Sequence, residues 1–354
     1  MTTIAVLGAG IMATALATPL TDNGHEVRIV GTHLDREEIE SIRNKGVHPR
    51  QAVPVPASVR AYQLEEAAEA FEGASVVMVG VNSFGPRWAG EQLAGLLRPG
   101  QDVIAVAKGM EADDGNLRIL PDVMAEQVPA ELRGQVTWSA IVGPSIAGEV
   151  AARRHTCVVF VGLDQAALDR LAPLYRTGVY HVWTSTDLVG SEVAAAMKNC
   201  YALAVGLAEG LLEAMGEAQA PDRNHNFEAA LIAQGFYEIC LMMDLLGGRR
   251  ETPYELPSVG DMYVTSVGGR NVRVGRLLGA GVKFTEAWER LGRPTLEGAA
   301  AIRVIGGALP RLTERGVISE ADLPLLRHLH EVIALEQPID IPWSKFFRGE
   351  QCDG

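Results

Sequence analysis

The sequence predicts an α/β protein with an N-terminal Rossmann-type doubly wound sheet and an all-helical C-terminal domain. Roughly the first 185 residues alternate short, β-branched runs with helical stretches, which is typical of a doubly wound parallel sheet. After Thr186, long runs rich in Ala, Leu and Gly take over and strand signals nearly vanish. A chain of 354 residues is too long for one comfortable core, so we expect two domains, 1–186 and 187–354.

The individual elements follow from composition and periodicity. Near-continuous Val and Ile predict strands that are buried on both faces at 4–8, 26–30, 75–81, 102–107, 137–143 and 156–162. Helices are predicted between them at 11–22, 34–44, 87–97 and 165–175. The second domain should hold helices at 187–214, 226–246, 256–267, 271–279, 296–315 and 321–334. The polar segment 215–226 predicts a loop, and the last residues, "WSKFFRGEQCDG", predict a flexible end.

Charge and cysteine content exclude several classes of function. A net charge of −13 argues against a nucleic-acid partner, yet leaves room for a small phosphorylated ligand held by a few local cations. The four cysteines show no metal-ligand spacing and indicate reduced thiols, so we expect no metal site and a cytoplasmic protein. Because the chain shows no leader and no uncharged apolar run of membrane-spanning length, we expect no membrane span.

A glycine motif near the start of the chain predicts a dinucleotide site. The stretch "IAVLGAGIMATALATPL" places Gly8, Gly10 and Ala13 directly after a strand and at the opening of a helix. The first glycine permits the tight turn and the second lets the backbone approach a pyrophosphate. The alanine keeps the helix close to the sheet, and the helix N-terminus favours negative charge. The intervening Ile11 and Met12 lie at that same helix start.

The preference between NAD and NADP is left open. An NAD site usually has an acidic residue at the end of the second strand. Here that region reads "RIVGTHLDR", with Thr32 and His33 at the expected position and Asp35 and Arg36 further along. Nothing in it obviously repels a 2′-phosphate, so the sequence leans slightly toward tolerance of NADP.

Several polar residues stand in unusual places. In "AAAMKNCYALAVG", Lys198 and Asn199 interrupt an apolar helix. A buried ammonium group needs a partner, so this pair either meets water or lines a cavity that binds an anionic or carbonyl-bearing ligand. Lys108 follows a strand at the carboxyl edge where ligands of such sheets bind. Asp261 and Thr265 are four residues apart and therefore share a helix face.

Two further stretches indicate anion binding and a turn. Gly268 and Gly269 end one helix and are followed by Arg270 and Asn271. A guanidinium group suits phosphate because its planar fork binds two oxygens at once. The stretch "GPSIAGEV" contains Ser145 in a turn before the next helix.

Together these motifs resemble the NAD(P)-dependent glycerol-3-phosphate dehydrogenases. The resemblance runs over almost the whole chain, with the family's motifs in the family's order. They are "GAGIMA", "AKGME", "GPSIAGEV", "AAMKN", "NFEAALIAQG", "GDMYVTSVGGRN" and "EG" at 297–298. The ordered set is far more specific than any one member.

The resemblance implies a reaction and a set of roles. The reaction is the interconversion of sn-glycerol 3-phosphate and dihydroxyacetone phosphate, with NAD or NADP as cofactor and a homodimer as the working form. Catalytic roles fall to Lys198, Lys108 and Asp261. Substrate contacts fall to Asn199, Thr265, Arg270, Asn271 and Ser145. Cofactor contacts fall to Gly8, Gly10, Ile11, Met12, Ala13, Thr32, Lys108, Arg270 and Glu297.

Departures from the family pattern keep alternatives open. Bacterial relatives commonly have Trp-x-Arg after the second strand, where this chain has Val30, Gly31 and Thr32. Gln234 stands where many bacterial members have an arginine, and the loop before it is longer than usual. A larger polyol phosphate, a β-hydroxyacid substrate, or binding of NAD(P) without turnover are therefore the alternatives.

Overall fold

The computed structural model describes residues 1–216 and 224–347, and the chain forms two compact units. The first unit contains residues 1–108 and 119–188. The second contains residues 109–118 together with the chain from 189 onward. Nothing in the sequence predicted that 109–118 would join the second unit.

The described residues form twelve strands and fifteen α-helices. The strands are β1 (Thr3–Leu7), β2 (Glu26–Val30), β3 (Val47–His48), β4 (Val53–Pro54), β5 (Arg60–Tyr62), β6 (Val76–Val79), β7 (Asp102–Ala105), β8 (Met110–Asp113), β9 (Asn116–Ile119), β10 (Thr137–Val142), β11 (Thr156–Gly162) and β12 (Tyr180–Ser185). The helices of the first unit are α1 (Ile11–Asp22), α2 (Arg36–Lys45), α3 (Ala67–Phe71), α4 (Pro86–Leu96), α5 (Leu120–Gln127), α6 (Ala130–Arg133), α7 (Ala147–Ala151) and α8 (Gln165–Tyr175). Those of the second are α9 (Leu188–Ala214), α10 (His225–Leu246), α11 (Asp261–Ser266), α12 (Arg270–Gly279), α13 (Phe284–Arg290), α14 (Glu297–Glu314) and α15 (Pro324–Ala334).

The first unit is built on an eight-stranded sheet in the order β12-β11-β10-β7-β6-β1-β2-β5. Six neighbouring strands are parallel, and in spatial order they are β10, β7, β6, β1, β2 and β5. Counted along the chain, their order is that of a dinucleotide-binding sheet, with the switch point between β1 and β6. The predicted fold class is confirmed. Apolar side chains pack on both sheet faces, which explains the near-continuous Val and Ile runs.

One strand pairing differs from the sequence-based expectation. β11 runs antiparallel to β10, and β12 is parallel to β11. Parallel strands are usually joined by a crossover helix, whereas the connection between β10 and β11 holds only α7, which has five residues. The expectation that 156–162 would continue a parallel sheet was therefore wrong.

The second unit is a helical assembly with one added hairpin. Its core is formed mainly by buried side chains from α9, α10, α12, α14 and α15, with smaller contributions from α11 and α13. In the hairpin, Asp114 and Gly115 both have positive φ, 46° and 78°, which is typical of a two-residue turn between β8 and β9. Met110 of β8 is buried in the helical core. This contact places the hairpin in the second unit.

The described C-terminal segment is packed against the second unit. Residues Trp343–Lys345 form a 3₁₀ turn, Phe346 is buried, and the Trp343 ring meets the Phe227 ring edge-on at 4.8 Å between centroids. The prediction of a flexible end was thus wrong for 343–347, while Cys352 lies outside the described residues. Among the described helices, α10 alone has the length and apolar composition that a membrane crossing requires, a test that core helices of globular proteins also pass.

Candidate active site

The glycine motif forms a tight turn that closes against the end of β6. Gly8 follows β1 with a φ of +101°, and a Cβ there would lie 3.0 Å from the carbonyl carbon of Gly80. A Cβ on Gly10 would lie 2.6 Å from the Gly80 oxygen, and one on Gly80 would lie 2.4 Å from the Cβ of Ala13. The motif therefore needs a third glycine, Gly80, which the sequence analysis did not single out.

The N-terminus of α1 faces outward from this turn. Gly10 is the N-cap residue in an extended conformation, and it has no side chain that could accept a bond from the first turn. The N–H groups of that turn point toward the space where an anion would bind. Ile11 and Met12 are partly exposed there, and the Ser145 hydroxyl lies 3.5 Å from the Met12 sulfur. Ser145 therefore lies beside the start of α1.

Two residues missed in the sequence hold the peptide of Ala9 inside the glycine turn. The Asp35 carboxylate oxygen Oδ2 accepts from the N–H groups of Ala9, at 3.2 Å, and Thr32, at 2.9 Å. The buried His48 ring donates from Nε2 to the Ala9 oxygen at 2.8 Å, while its Nδ1 accepts from the Arg50 N–H. Because these partners are 26 and 39 residues from Ala9, no local pattern marks them.

Lys108 lies at the carboxyl edge of the same sheet. It follows β7, and its ammonium group donates to the Gly143 carbonyl oxygen at 2.9 Å. Gly143 follows β10, the strand that pairs with β7. The structure thus places Lys108 at the edge of the sheet where the sequence predicted it.

In the second unit, Lys198 is buried and paired. Only 4% of its surface is exposed, and its Nζ lies 3.1 Å from the Asp261 Oδ1. Nζ also donates to the Thr265 hydroxyl oxygen at 2.6 Å, and that hydroxyl donates to the Asp261 carbonyl oxygen at 2.7 Å. The sequence left two explanations for this lysine: it meets water, or it lines a cavity. Because the side chain is buried, the first explanation is excluded.

The local sequence explains how Asp261 and Thr265 come to face Lys198. Residues Leu256–Gly260 form one turn of π-helix, and α11 begins directly after it at Asp261. Residues four apart on α11 lie on one face, so Asp261 and Thr265 point the same way while Tyr263 is exposed. Single π-helical turns often occur at functional sites.

The two asparagines bond to each other. Asn271 donates from Nδ2 to the Asn199 Oδ1 at 3.3 Å, and its own Oδ1 accepts from the Gly298 N–H at 3.3 Å. Asn199 also donates to the Ala195 oxygen of its own helix. Both asparagines are buried. This chain of bonds, called here the amide bridge (Asn199, Asn271, Gly298), joins α9, α12 and the start of α14.

Arg270 and Glu297 lie beside that bridge. Arg270 begins α12 immediately after Gly268 and Gly269, and its side chain is exposed. Across 1–216 and 224–347, no carboxylate pairs with its guanidinium group, so its charge is available to an anion. Glu297 begins α14, one residue before Gly298, and is partly exposed.

A nearby thiol has no nucleophilic role. Cys200 is fully buried next to Asn199, and burial raises the pKa of its thiol well above the usual value. It is therefore protonated near neutral pH and is not the nucleophilic thiolate form.

Comparisons with known proteins decide the family. The model of the NAD-dependent glycerol-3-phosphate dehydrogenase N-terminus matches residues 3–168, and that of its C-terminus matches residues 187–342. The chain belongs to this family. The NADP(+)-dependent glycerol-3-phosphate dehydrogenase of Archaeoglobus fulgidus is 33% identical over 82% of this chain and 84% of its own length. The glycerol-3-phosphate dehydrogenase [NAD(P)+] of Bacillus anthracis is 31% identical over 94% of this chain and 92% of its own.

Solved structures of glycerol-3-phosphate dehydrogenases agree with this membership. The enzyme of Coxiella burnetii has a TM-score of 0.79 at 27% identity and covers 95% of each chain. That of Plasmodium falciparum has a TM-score of 0.82 at 18% identity, covering 99% of this chain and 96% of its own, and supports the fold alone. The resemblance to glycerol-3-phosphate dehydrogenases that the motifs indicated is confirmed.

Proposed function

We propose that this chain catalyses the NAD(P)-dependent interconversion of sn-glycerol 3-phosphate and dihydroxyacetone phosphate, with Lys198 as general acid and base. The observation that carries the mechanism is the buried ammonium group of Lys198 between Asp261 and Thr265. Family membership and relatives that are named as glycerol-3-phosphate dehydrogenases support the choice of reaction.

The residues of the second unit supply the proton. When bound, the nicotinamide would supply a hydride to the ketone carbon, and the oxygen of that ketone would then need a proton. Lys198 donates that proton from Nζ in the direction of reduction and accepts it in the direction of oxidation. Asp261 and Thr265 orient Nζ through the contacts at 3.1 Å and 2.6 Å. The resemblance assigns a further catalytic role to Lys108, at the edge of the first unit's sheet.

The first unit is proposed to hold the cofactor. A glycine turn that excludes any Cβ at Gly8 or Gly10, followed by the N-terminus of α1, fits a pyrophosphate. Ile11, Met12 and Ala13 line the start of that helix. Thr32 follows β2, where a ribose 2′ substituent lies in such sheets. Because the Asp35 oxygen is engaged by two backbone N–H groups, we expect NADP to be tolerated as well as NAD.

Arg270 is proposed to bind the substrate phosphate. Its guanidinium group is exposed at the start of α12, where the helix N-terminus also favours negative charge. The resemblance also assigns substrate contacts to Asn271, which follows Arg270 in the chain, and to Asn199, its hydrogen-bond partner. Glu297 precedes Gly298, whose N–H bonds to Asn271, and Ser145 lies beside Met12 in the first unit. The enzyme is further proposed to act as a cytoplasmic homodimer on a small phosphorylated substrate, on the strength of the resemblance.

The testing experiment measures oxidation of NADH and of NADPH, each with dihydroxyacetone phosphate as the ketone. We expect oxidation with both nucleotides, and the ratio of the two rates gives the cofactor preference. Dihydroxyacetone without the phosphate is the matched control and should give a much higher KM. If neither nucleotide is oxidised while both still bind, the proposed substrate is wrong. The remaining alternatives are then a larger polyol phosphate or a β-hydroxyacid as substrate, or binding of NAD(P) without turnover.

A further inference from the structure

Helices α9 and α12 touch backbone to backbone through four glycines. A Cβ on Gly275 would lie 2.0 Å from the Leu203 oxygen and 3.0 Å from the Gly206 Cα. A Cβ on Gly279 would lie 2.3 Å from the Leu207 oxygen and 2.9 Å from the Gly210 Cα. The contact is reciprocal, since Cβ atoms on Gly206 and Gly210 would lie 2.2 Å and 2.0 Å from carbonyl oxygens of α12. We call these four residues the glycine crossing.

Polar contacts at both ends fix how α12 lies on α9. At the start of α12, Asn271 bonds to Asn199 in the amide bridge. Near its end, Arg276 forms ion pairs with Glu209 and Glu213 of α9. The first glycines of the crossing, Gly206 and Gly275, follow the asparagine pair along their helices, and the ion pairs of Arg276 lie alongside the second glycines, Gly210 and Gly279. Sliding or rotation of α12 would break at least one of these polar contacts.

Two residues of the proposed reaction are each adjacent in sequence to an asparagine of the amide bridge. Lys198 precedes Asn199 on α9, and Arg270 precedes Asn271 on α12. Asn271 also accepts a bond from the Gly298 N–H. A Cβ added to Gly298 would lie 2.4 Å from the Asn199 backbone oxygen and 2.9 Å from the Asn271 Oδ1. The spacing of the proton donor and the phosphate-binding cation therefore depends on how closely the helices approach.

We propose that the glycine crossing is a positioning device that sets the place of Arg270 relative to Lys198. This inference rests on the proposed function, because it assigns Arg270 to the substrate phosphate. The amide bridge fixes the register of α12, and the absence of four Cβ atoms fixes its distance from α9. The glycines act through Arg270 and do not touch substrate.

The direct test is Gly275→Ala. The new methyl group must push α12 away from the Leu203 oxygen, and Gly275 lies about 7.5 Å along the helix from Arg270 at 1.5 Å per residue. A displacement of about 1 Å in a substrate-holding group costs up to roughly a hundredfold. We expect the KM for dihydroxyacetone phosphate and the Ki for inorganic phosphate, a competitor for Arg270, to rise tenfold or more, with the KM for NADH unchanged.

The control variant is Gly307→Ala, on α14 of the same unit. A Cβ at Gly307 meets its nearest neighbour, the His330 Nε2, at 4.0 Å, which is ordinary contact. This variant should match the wild type in all three constants. A purely structural effect of Gly275→Ala would reduce the fraction of active enzyme and so lower kcat, leaving the KM and the Ki in place. That result would overturn the proposal.

A double-mutant cycle with Arg270→Ala separates this inference from the proposed function. If Gly275 acts through Arg270, adding Gly275→Ala to Arg270→Ala should raise the KM no further. Independent, multiplied effects would overturn the positioning role while leaving the function intact. If the wild type does not reduce dihydroxyacetone phosphate, it is the function that fails. Should Gly275→Ala not fold, Arg276→Ala removes the ion pairs with Glu209 and Glu213 without adding volume and enters the same cycle, with a rise in KM that Arg270→Ala should again abolish.

Discussion

At the residue scale, Lys198 shows how one side chain meets a structural and a chemical requirement together. An ammonium group buried without a partner would cost several kcal/mol, so the helix tolerates it only beside Asp261. The same pairing holds Nζ in one orientation through Thr265. A group that is fixed, charged and able to release a proton is suited to general acid catalysis.

The first prediction concerns Lys198→Ala. Removing the proton donor should lower kcat by about 10²- to 10⁴-fold, the usual contribution of a general acid. The affinity for NADH should change little, because the glycine turn proposed to bind it belongs to the first unit. Steady-state kinetics and fluorescence titration of NADH measure the two effects.

Lys283→Ala is the control for that variant. Lys283 is exposed in the same unit, and its contact with Glu336 spans 4.0 Å. Its loss should leave kcat at the wild-type value. A Lys198→Ala enzyme that turned over at a near wild-type rate would show that the proton comes from another group.

The residues of the candidate site were predictable to different degrees. Lys198 was recognisable because a charge inside an apolar helix is unusual, and Asp261 and Thr265 because they share a helix face. Asp35 and His48 were not assigned, since their bonds to Ala9 depend on tertiary folding. The sequence could not show that Asn199 and Asn271 bond to each other, because their helices lie apart in the chain.

At the element scale, the order of strands and helices was largely readable and their pairing less so. Strands that run through the core carry Val and Ile, which is why β1, β2, β6 and β7 were found. The edge strand β12 and the hairpin β8–β9 were missed because their sequences are mixed in polarity. The antiparallel direction of β11 depends on the length of α7, which the sequence did not reveal.

The second prediction concerns Gly80→Ala at the end of β6. Its Cβ would lie 2.4 Å from the Ala13 Cβ and 2.6 Å from the Gly8 oxygen, so β6 or α1 must move. We expect NADH affinity to fall at least tenfold, because the turn no longer presents its N–H groups in place. Fluorescence titration of NADH measures the loss.

Gly95→Ala provides the comparison for a glycine on a helix of the same unit. Its Cβ would meet nothing within 4 Å. The exposed helical position should instead gain about 0.5–1 kcal/mol of stability with NADH affinity unchanged. Equal NADH affinity in both variants would show that the contact with Gly80 does not shape the cofactor turn.

A buried carboxylate links three helices and the C-terminal segment. Glu238 of α10 accepts from the Tyr201 hydroxyl of α9 at 2.9 Å and from the backbone N–H groups of Leu325 and Leu326 at the start of α15. It also accepts from Gln234, whose own side-chain oxygen accepts from the Phe347 N–H. Gln234 thus serves this network.

The third prediction is a pH effect on stability from Glu238. Burial raises the pKa of its carboxyl group to about 7, above its ordinary 4.5. The folded protein then binds the proton more tightly than the unfolded chain, so this stabilisation is complete below pH 4.5 and is lost as the pH rises to about 7. In Glu238→Gln the free energy of unfolding should lose that slope, which is worth at most about 3 kcal/mol.

Chemical denaturation at several pH values measures this slope. Burial lowers the pKa of His328 on α15, which gives a slope of opposite sign, so the difference between wild type and variant is the quantity to follow. Tyr201 and Cys200 also face this site, and burial raises the pKa of each, so both stay neutral in this range. Identical slopes in the two proteins would show that Glu238 does not titrate there.

At the scale of the whole molecule, the order of units along the chain is interrupted. The chain passes from the first unit to the second at 108/109, returns at 118/119 and leaves again at 188/189. The hairpin that causes this contributes Met110 to the helical core, and Arg311 of α14 contacts Asp114 at its tip. The composition predicted a single domain boundary at 186/187, because the ten residues 109–118 are too few to change the composition of the chain around them.

The last prediction follows from that interruption. Gly115→Ala puts a Cβ 2.5 Å from the Arg311 Cγ at a φ of +78°, where a side chain is strained. We expect amide hydrogen exchange to accelerate in α14 and β8, with β1 and β6 unaffected, because the hairpin is stabilised by the second unit. Exchange followed by mass spectrometry locates the change.

Gly100→Ala supplies matched backbone strain in the first unit. Gly100 has a φ of +84° and nothing within 4 Å of an added Cβ, so its strain is felt beside β7 without a clash. We expect Gly100→Ala to accelerate exchange in the sheet of the first unit, and Gly115→Ala to accelerate it in α14. That result would place the turn at Gly100 and the hairpin at Gly115 in different cooperative units, although the two glycines are only 15 residues apart. If Gly115→Ala instead loosened β7 and β10, the hairpin would belong to the first unit energetically, and the division of the chain would follow its sequence order.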